Sequence, residues 1–104
     1  CYLNSADGCG VPDNIAPVGS VPAGNGKWGQ ADLAGNIEEW TRDSYGVYPV
    51  PCSNCSAAPS PSVNSVLRGG SFFTDVTTTI ASVRDTADPN GAYVTYGARC
   101  ARTP

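Results

Sequence analysis

Glycine and proline recur so often in this sequence that they limit what the chain can fold into. Its 104 residues include 12 glycines and 9 prolines, about a fifth of the total. Both residue types interrupt helices and strands and favour turns. The sequence therefore predicts one small domain with many turns, long irregular connections, little helix and a modest hydrophobic core.

The distribution of charged and apolar residues excludes two classes of partner. The net charge is −3, and no run of basic residues occurs, so nucleic acid is not an expected partner. No apolar stretch approaches the roughly 20 residues that a membrane span requires. Because the chain starts at Cys1 rather than at methionine, we interpret it as processed or excised.

Five cysteines in so short a chain indicate an oxidising compartment, so we expect a secreted or otherwise extracytoplasmic protein. Cys1 and Cys9 bracket a polar, glycine-rich segment and are a candidate local disulfide. Cys52 and Cys55 form a CxxC pair inside a loop rich in proline and serine. Because this pair has no second CxxC and no helix start after it, a structural disulfide is favoured over a zinc or redox site.

The sequence contains no histidine. Histidine is the commonest general base and the commonest metal ligand in proteins. Its absence excludes histidine-based zinc or iron sites and any Ser-His or Cys-His nucleophile pair within this chain.

The local patterns predict a few short strands between turns. Residues 16–30 are predicted to be extended with a turn, and residues 30–43 to form a turn leading into a short strand. Residues 65–73 are predicted to be a strand with a glycine pair at its centre. Residues 92–102 alternate well enough for a closing strand, whereas residues 77–88 fit a short helix or a strand equally.

The segment ADLAGNIEEW, residues 31–40, is a candidate cation site. Calcium takes six to eight oxygen ligands from carboxylates and backbone carbonyls. A turn at Gly35-Asn36 can direct several carbonyl oxygens inward while Asp32 and Glu39 supply charge. The alternative is a polar turn before a strand with solvated acids, and the spacing is not that of an EF-hand.

Three motifs in order resemble the C-terminal half of the formylglycine-generating enzyme family, which includes the sulfatase-modifying factors. They are GKWGQADLAGNIEEWTRDSY, VLRGGSF and YGARCAR, and the resemblance runs from about Asn4 to Arg102. It implies an α+β fold of the irregular, loop-rich C-type-lectin-like kind, with short antiparallel strands and little helix. We therefore predict a single domain over residues 1–104 that corresponds to the C-terminal part of the family domain.

The resemblance also implies a calcium ion on the segment at residues 31–40. The implied ligands are the side chain of Asp32, the carbonyls of Gly35 and Ile37, and the carboxylate of Glu39. Asn36 is expected to brace the turn and Trp40 to pack beneath it. Glu38 departs from the family, which has tryptophan at this position, and this suggests local repacking or an added charge near the metal.

A second calcium of the family maps onto the N-terminal segment. Asn4, Ser5 and Asp13 are its candidate ligands, with Asp7 as an alternative to Asp13. The segment is shorter than in the family, and a solvated loop tied by a Cys1–Cys9 disulfide is the competing interpretation.

The family enzyme oxidises a cysteine of a sulfatase with copper held by two cysteines after the GGS motif. Cu(I) prefers thiolate ligands. The matching positions fall at about Thr74 and Thr79, and no cysteine occurs between Cys55 and Cys100. Copper-thiolate oxidation is therefore not expected. Cys100 is the expected odd thiol, because a cysteine here can pair in the family with one in the absent N-terminal half.

The segment FFTDVTTT, residues 72–79, occupies the surface that carries the active site in the enzymes. Thr74, Asp75 and Thr77 are the candidate ligand-binding face. Arg68 and Arg84 recur in the family pattern, and a structural role is favoured over a ligand contact.

These patterns predict a non-catalytic, calcium-binding extracellular module for recognition or assembly. Its partner is expected to be an extracellular protein or glycan, another copy of itself, or the missing N-terminal half. Two alternatives remain open: a fragment of a sulfatase-modifying enzyme-like protein that lacks its N-terminal half, and a structural, self-assembling surface component.

Overall fold

The structure is a computed structural model that describes residues 15–53, 55, 59–60 and 62–100. Within these ranges it contains four short strands and two single-turn 3-10 helices, and no α-helix. The strands are β1 (Glu38–Ser44), β2 (Ser65–Arg68), β3 (Asp85–Ala87) and β4 (Tyr96–Ala98), and the 3-10 helices span Pro22–Gly24 and Val76–Thr79. None of the helices in this part of the chain has the length or apolar character needed to traverse a bilayer.

The four strands form one sheet in the order β3-β2-β1-β4. β2 pairs antiparallel with both β1 and β3, whereas β4 pairs parallel with β1. The predicted loop-rich fold with short strands and little helix is confirmed, and the sheet is mixed because its β4 edge runs parallel to β1.

Two strand predictions were too long. The strand predicted over residues 65–73 ends at Arg68, because Gly69 and Gly70 adopt φ angles of +97° and +67° that no strand residue has. Within residues 92–100, the described part of the closing strand predicted over residues 92–102, only Tyr96–Ala98 forms a strand. The ambiguous residues 77–88 contain the end of a 3-10 helix and then the strand β3, so both alternatives hold for part of the stretch.

The hydrophobic core is small and lies on the two central strands. Leu67 is 0% exposed and Val66 is 2% exposed. Burying two such side chains contributes on the order of 3–6 kcal/mol. Buried polar groups complete the core, among them Asn36 and Ser71, and both are hydrogen-bonded.

The strand register places acidic and aromatic side chains on one face of the sheet. Glu38 lies beside Tyr96, and Trp40 lies opposite Leu67. Leu67 in turn lies opposite Asp85 on β3. Because directly paired residues and residues two apart on a strand share a face, these five side chains belong to the same side of the sheet.

Candidate functional site

The loop at residues 31–40 makes a sharp turn immediately before β1. Asp32, Gly35 and Asn36 have φ angles of 54°, 78° and 67°, in the left-handed region that Gly, Asn and Asp tolerate best. The Gly35 N–H donates to the Gly69 carbonyl at 2.7 Å, and the Phe72 N–H donates to the Asn36 carbonyl at 2.8 Å. The glycine-containing segment after β2 therefore holds the turn in place.

Asn36 braces the turn from inside, as predicted. Its Oδ1 accepts from the Ala16 N–H at 2.8 Å, and its Nδ2 donates to the Ala16 carbonyl at 3.2 Å. The Asn36 amide thus bonds both backbone groups of Ala16, as the backbone of a neighbouring strand would. These two bonds tie the turn to the segment that precedes it.

The two carboxylates predicted to bind calcium have protein partners. Oδ2 of Asp32 accepts from the Gly19 N–H at 2.7 Å. Both oxygens of Glu39 accept from Arg99, and the shortest of these contacts is 2.6 Å. The same Arg99 donates to the carbonyls of Ala31 and Asp32 at 2.7 and 3.3 Å. The hydrogen bonds to Glu39 raise the pKa of Arg99 above its ordinary value.

The donor atoms available on this loop fit a calcium ion. Within the described part of the chain, the carbonyl oxygens of Gly35 and Ile37 accept no hydrogen bond, and Asp32 keeps one carboxylate oxygen unbonded. The free oxygen of Asp32, the two free carbonyls and the Arg99-bound carboxylate of Glu39 are hard oxygen donors of the kind that calcium takes. The described residues contain no cluster of three or more His, Cys, Asp or Glu, so the negative charge here comes from Asp32 and Glu39 alone, with Arg99 opposing it.

The second predicted calcium site lies outside the described residues. This holds for Asn4, Ser5, Asp7 and Asp13, and equally for Cys1 and Cys9. The second predicted disulfide is present, since Cys52 and Cys55 are bonded. Cys100 is exposed and forms no disulfide with a described cysteine.

The loop after β2 contains a connected set of hydroxyl groups. Thr74 Oγ1 accepts from the Ser71 N–H and from Thr78 Oγ1, both at 2.8 Å, and donates to the Ser71 carbonyl at 3.2 Å. Thr79 Oγ1 donates to the Val76 carbonyl at 2.7 Å. These bonds satisfy the side chains of Thr74 and Thr79, the positions to which the resemblance assigned the copper cysteines of the family enzyme.

Thr74 and Thr79 both lie over Gly70. A Cβ atom built on this glycine would stand 3.3 Å from Thr74 Oγ1 and 3.1 Å from Thr79 Cγ2. The fold therefore brings these two positions together, although they carry hydroxyls instead of thiols.

The predicted ligand face is only partly on the surface. Asp75 and Thr77 are exposed, but Thr74 is half-buried and its hydroxyl faces the loop interior. Asp75 caps the 3-10 helix by accepting from the Thr77 N–H at 2.9 Å, and this bond lowers the pKa of the carboxyl.

Arg68 and Arg84 order the loop that follows β1. Arg84 lies 4.9 Å from the Tyr45 ring centre and 4.1 Å from that of Tyr48, and it donates to the Gly46 carbonyl at 2.9 Å. Arg68 donates to the Tyr48 hydroxyl at 2.9 Å and to two carbonyls further along the chain. The favoured structural role agrees with these contacts, and cation–π attraction adds to it.

Sequence reasoning missed the role of Arg99 in this loop, and it left open whether Glu38 is buried or lies near the metal. No local sequence pattern identifies Arg99 as part of this loop, because its partner Glu39 is distant in the sequence. Glu38 is buried at 3% exposure, and its Oε1 has no hydrogen-bond partner. Burial, and then the charge of Asp85, raises the pKa of Glu38. The available signal was the acid at a position where the family has tryptophan.

Known proteins are similar to this chain in sequence or in fold. The family described as Sulfatase-modifying factor enzyme 1-like domain matches residues 10–104. The serine/threonine-protein kinase pkn1 of Chlamydia caviae is 36% identical over 93 residues, covering 86% of this chain and 15% of the kinase. Treponema denticola variable protein 1 has a similar fold, with a TM-score of 0.67 and 24% identity over 93% of this chain and 34% of that one. The chain thus spans a minor part of both relatives.

Proposed function

The chain belongs to the sulfatase-modifying factor enzyme 1-like family, and we propose that it is a non-catalytic extracellular module for recognition or assembly. The observation that carries this proposal is the chemistry of the loop after β2. At the positions of the copper cysteines, Thr74 and Thr79 are engaged in hydrogen bonds within the loop. Hydroxyl groups do not replace thiolates as ligands of Cu(I). The surface that performs chemistry in the enzymes is therefore free to serve as a binding face.

Calcium is part of this proposal as a structural cofactor. Asp32, Gly35, Ile37 and Glu39 would hold the ion through two carboxylates and two carbonyl oxygens. The ion would supply positive charge that fixes the turn before β1. Arg99 already holds part of this turn in place, because it links Glu39 to the carbonyl of Ala31.

The exposed part of the loop after β2 provides the proposed contact surface. Asp75 and Thr77 present a carboxylate and a hydroxyl, and Phe73 is 64% exposed beside them. Polar groups around an exposed aromatic ring suit a glycan or a protein partner. An oxidising compartment for this encounter is consistent with the Cys52–Cys55 disulfide.

A second candidate function is supported by the apolar surface. Val18, Trp28 and Val94 are 86%, 80% and 75% exposed. A contiguous apolar surface is characteristic of contact with other protein, and we include these three side chains in such a proposed surface. The alternative is therefore a fragment of a sulfatase-modifying enzyme-like protein in which a further part of the family domain covers these side chains.

The proposed function is tested by one catalytic and one binding experiment. The copper-treated chain is incubated with a cysteine-containing peptide, oxygen and a thiol reductant, and the peptide is analysed by mass spectrometry. We expect no formylglycine above a control without protein, and its formation would overturn the non-catalytic assignment. In parallel, the chain is applied to arrays of glycans and extracellular proteins.

Two variants separate a specific binding face from general adhesion on these arrays. Thr77→Ala together with Asp75→Asn should abolish any saturable binding, while Asp88→Asn, outside this loop, should not. Equal binding by the parent, the Thr77→Ala, Asp75→Asn double variant and Asp88→Asn would contradict the proposed binding face. Filaments or higher oligomers of the chain alone in negative-stain images would instead favour the self-assembling alternative.

A further inference from the structure

Glu38 is a buried carboxylate without a compensating donor. It is 3% exposed, and its Oε1 has no hydrogen-bond partner. Buried carboxylates in proteins are ordinarily paired or hydrogen-bonded, because removing their hydration is costly. The described chain therefore leaves this acid without a compensating donor.

A second acid stands on the same face of the sheet. Asp85 on the edge strand β3 shares this face with Glu38 through the register of β3, β2 and β1. No described basic side chain forms an ion pair with Glu38 or Asp85. Arg99 pairs with Glu39, which lies on the opposite face of the sheet. The two like charges therefore create a local negative potential that the described chain does not neutralise.

Three aromatic rings form a group around Tyr96, which is the strand partner of Glu38. Trp40 and Tyr96 meet edge to face, with centroids 5.3 Å apart and an interplanar angle of 75°. Tyr93 and Tyr96 meet in the same way at 5.1 Å and 63°. Rings held at steep angles to one another present π faces in more than one direction, and cations bind over such faces within about 6 Å.

We propose that this acid–aromatic cluster, formed by Glu38, Asp85, Trp40, Tyr93 and Tyr96, binds an arginine or lysine side chain of a partner polypeptide. A cation is complementary both to the two carboxylates and to the ring faces. A polypeptide is the appropriate source, because the rim of the cluster continues into exposed apolar surface.

The rim consists of neighbouring side chains of the segment before β4. Tyr93 is 67% exposed and Val94 is 75% exposed. A free small cation would leave this rim uncovered, whereas the backbone and side chains flanking a basic residue would cover it. The inference deepens the proposed recognition function and rests on it, since it names the chemistry of one partner contact.

The test measures binding of short peptides to the 104-residue chain by NMR. The probe is acetyl-Gly-Arg-Gly-amide, and its matched control is the citrulline peptide, which has the same shape without the charge. We expect saturable shifts of the Trp40 indole N–H with the arginine peptide and at least a tenfold weaker response with citrulline. Equal responses to the two peptides, or no response, would overturn the inference.

Variants locate the binding to the cluster. Glu38→Gln and Asp85→Asn should each weaken binding of the arginine peptide at least several-fold, while Asp88→Asn should not. Asp85 is exposed, so its variant keeps the test valid even where Glu38→Gln perturbs the fold. Unchanged binding of the arginine peptide by Asp85→Asn would refute the cluster as the binding site. Formylglycine production by the chain would overturn the proposed function alone and leave this result unaffected.

Discussion

Arg99 and Glu39, which stand 60 positions apart in the sequence, form a bidentate pair with donor–acceptor distances of 2.6 to 3.0 Å. The same guanidinium donates to the carbonyl of Ala31 at 2.7 Å. Arg99 directly follows β4, and Glu39 lies on β1, so the pair ties the parallel edge of the sheet to the loop before β1. One side chain thus connects three segments of a protein that has very little core.

Arg99→Gln should destabilise the chain by about 1–2 kcal/mol. A partly exposed ion pair contributes little by itself, but the hydrogen bonds to Ala31 and Glu39 are lost with it. Thermal unfolding at moderate salt measures the effect. Arg99→Lys is the matched variant, and it should recover only part of the loss because an ammonium cannot make the bidentate contact. Full recovery by lysine would show that charge alone matters at this position.

Calcium should raise the unfolding midpoint if the loop binds the ion as proposed. A ligand specific for the folded state stabilises it by about 2.7 kcal/mol at a hundredfold excess over its dissociation constant. Thermal unfolding in calcium and then in chelator measures this shift. Asp32→Asn should abolish the shift, whereas Asp88→Asn should retain it.

The positive charge of Arg99 offers an independent test of the same site. Because the guanidinium lies against Glu39, its removal in Arg99→Gln should increase calcium affinity several-fold even as it lowers the stability of the calcium-free chain. Isothermal titration gives this affinity directly. If calcium still raises the unfolding midpoint of Asp32→Asn, Asp32 is not a ligand. If Arg99→Gln leaves the calcium affinity unchanged, the result argues against Glu39 as a ligand.

Asn36→Ala should cost about 2–4 kcal/mol of unfolding free energy. The substitution leaves the buried N–H and carbonyl of Ala16 without partners and places alanine at a φ of 67°. Denaturant unfolding measures the loss. Asn90 is the matched control: it is exposed and its side chain hydrogen-bonds the nearby Asp88, so Asn90→Ala should change stability by less than about 0.5 kcal/mol. Similar losses in both variants would contradict the bracing role.

The protein's stability should depend on the ionisation of Asp75 in acid. Its pKa is lowered by the hydrogen bond from the Thr77 N–H, so the folded state holds the proton more weakly than the unfolded state. The stabilisation is therefore present above the ordinary aspartate pKa, about 3.9, and is lost as the pH falls through the lower folded pKa.

Asp75→Ala isolates this contribution. The variant should unfold at a lower temperature than the parent at neutral pH, and the difference should shrink below about pH 3. Asp75→Asn should retain most of the cap, because asparagine is an equally good N-cap residue. A difference between Asp75→Ala and the parent that is constant with pH would rule out the carboxylate as its source.

Local sequence patterns predicted the structural elements whose hydrogen-bonding and packing partners are close in the sequence. The Gly35-Asn36 turn followed by a strand was predictable because the positive φ angles at these positions need glycine or asparagine. Contacts across long sequence separations were not, and the bidentate pair of Arg99 with Glu39 is the clearest case. The early end of β2 was also missed, because a Gly-Gly pair is compatible with a bulge inside a strand as well as with its end.

The positions of Thr74 and Thr79 should accept a copper site if both become cysteine. Thr74 Oγ1 and Thr79 Cγ2 lie 3.3 and 3.1 Å from a Cβ atom built on Gly70, so we expect cysteine side chains at these positions to reach a common ion. The Thr74→Cys, Thr79→Cys double variant should therefore bind one Cu(I) at least a hundredfold more tightly than the parent. Competition with a chromophoric Cu(I) chelator measures the affinity.

The single variants control for nonspecific thiol binding in this measurement. Thr74→Cys alone and Thr79→Cys alone each add one thiol, as does the exposed Cys100 already present. Because linear coordination by two thiolates is much stronger than by one, each single variant should stay close to the parent. Equal affinity in single and double variants would show that the loop does not bring the two positions together. Tight binding by the double variant alone would show that the fold holds the side chains of residues 74 and 79 close enough to share one ion.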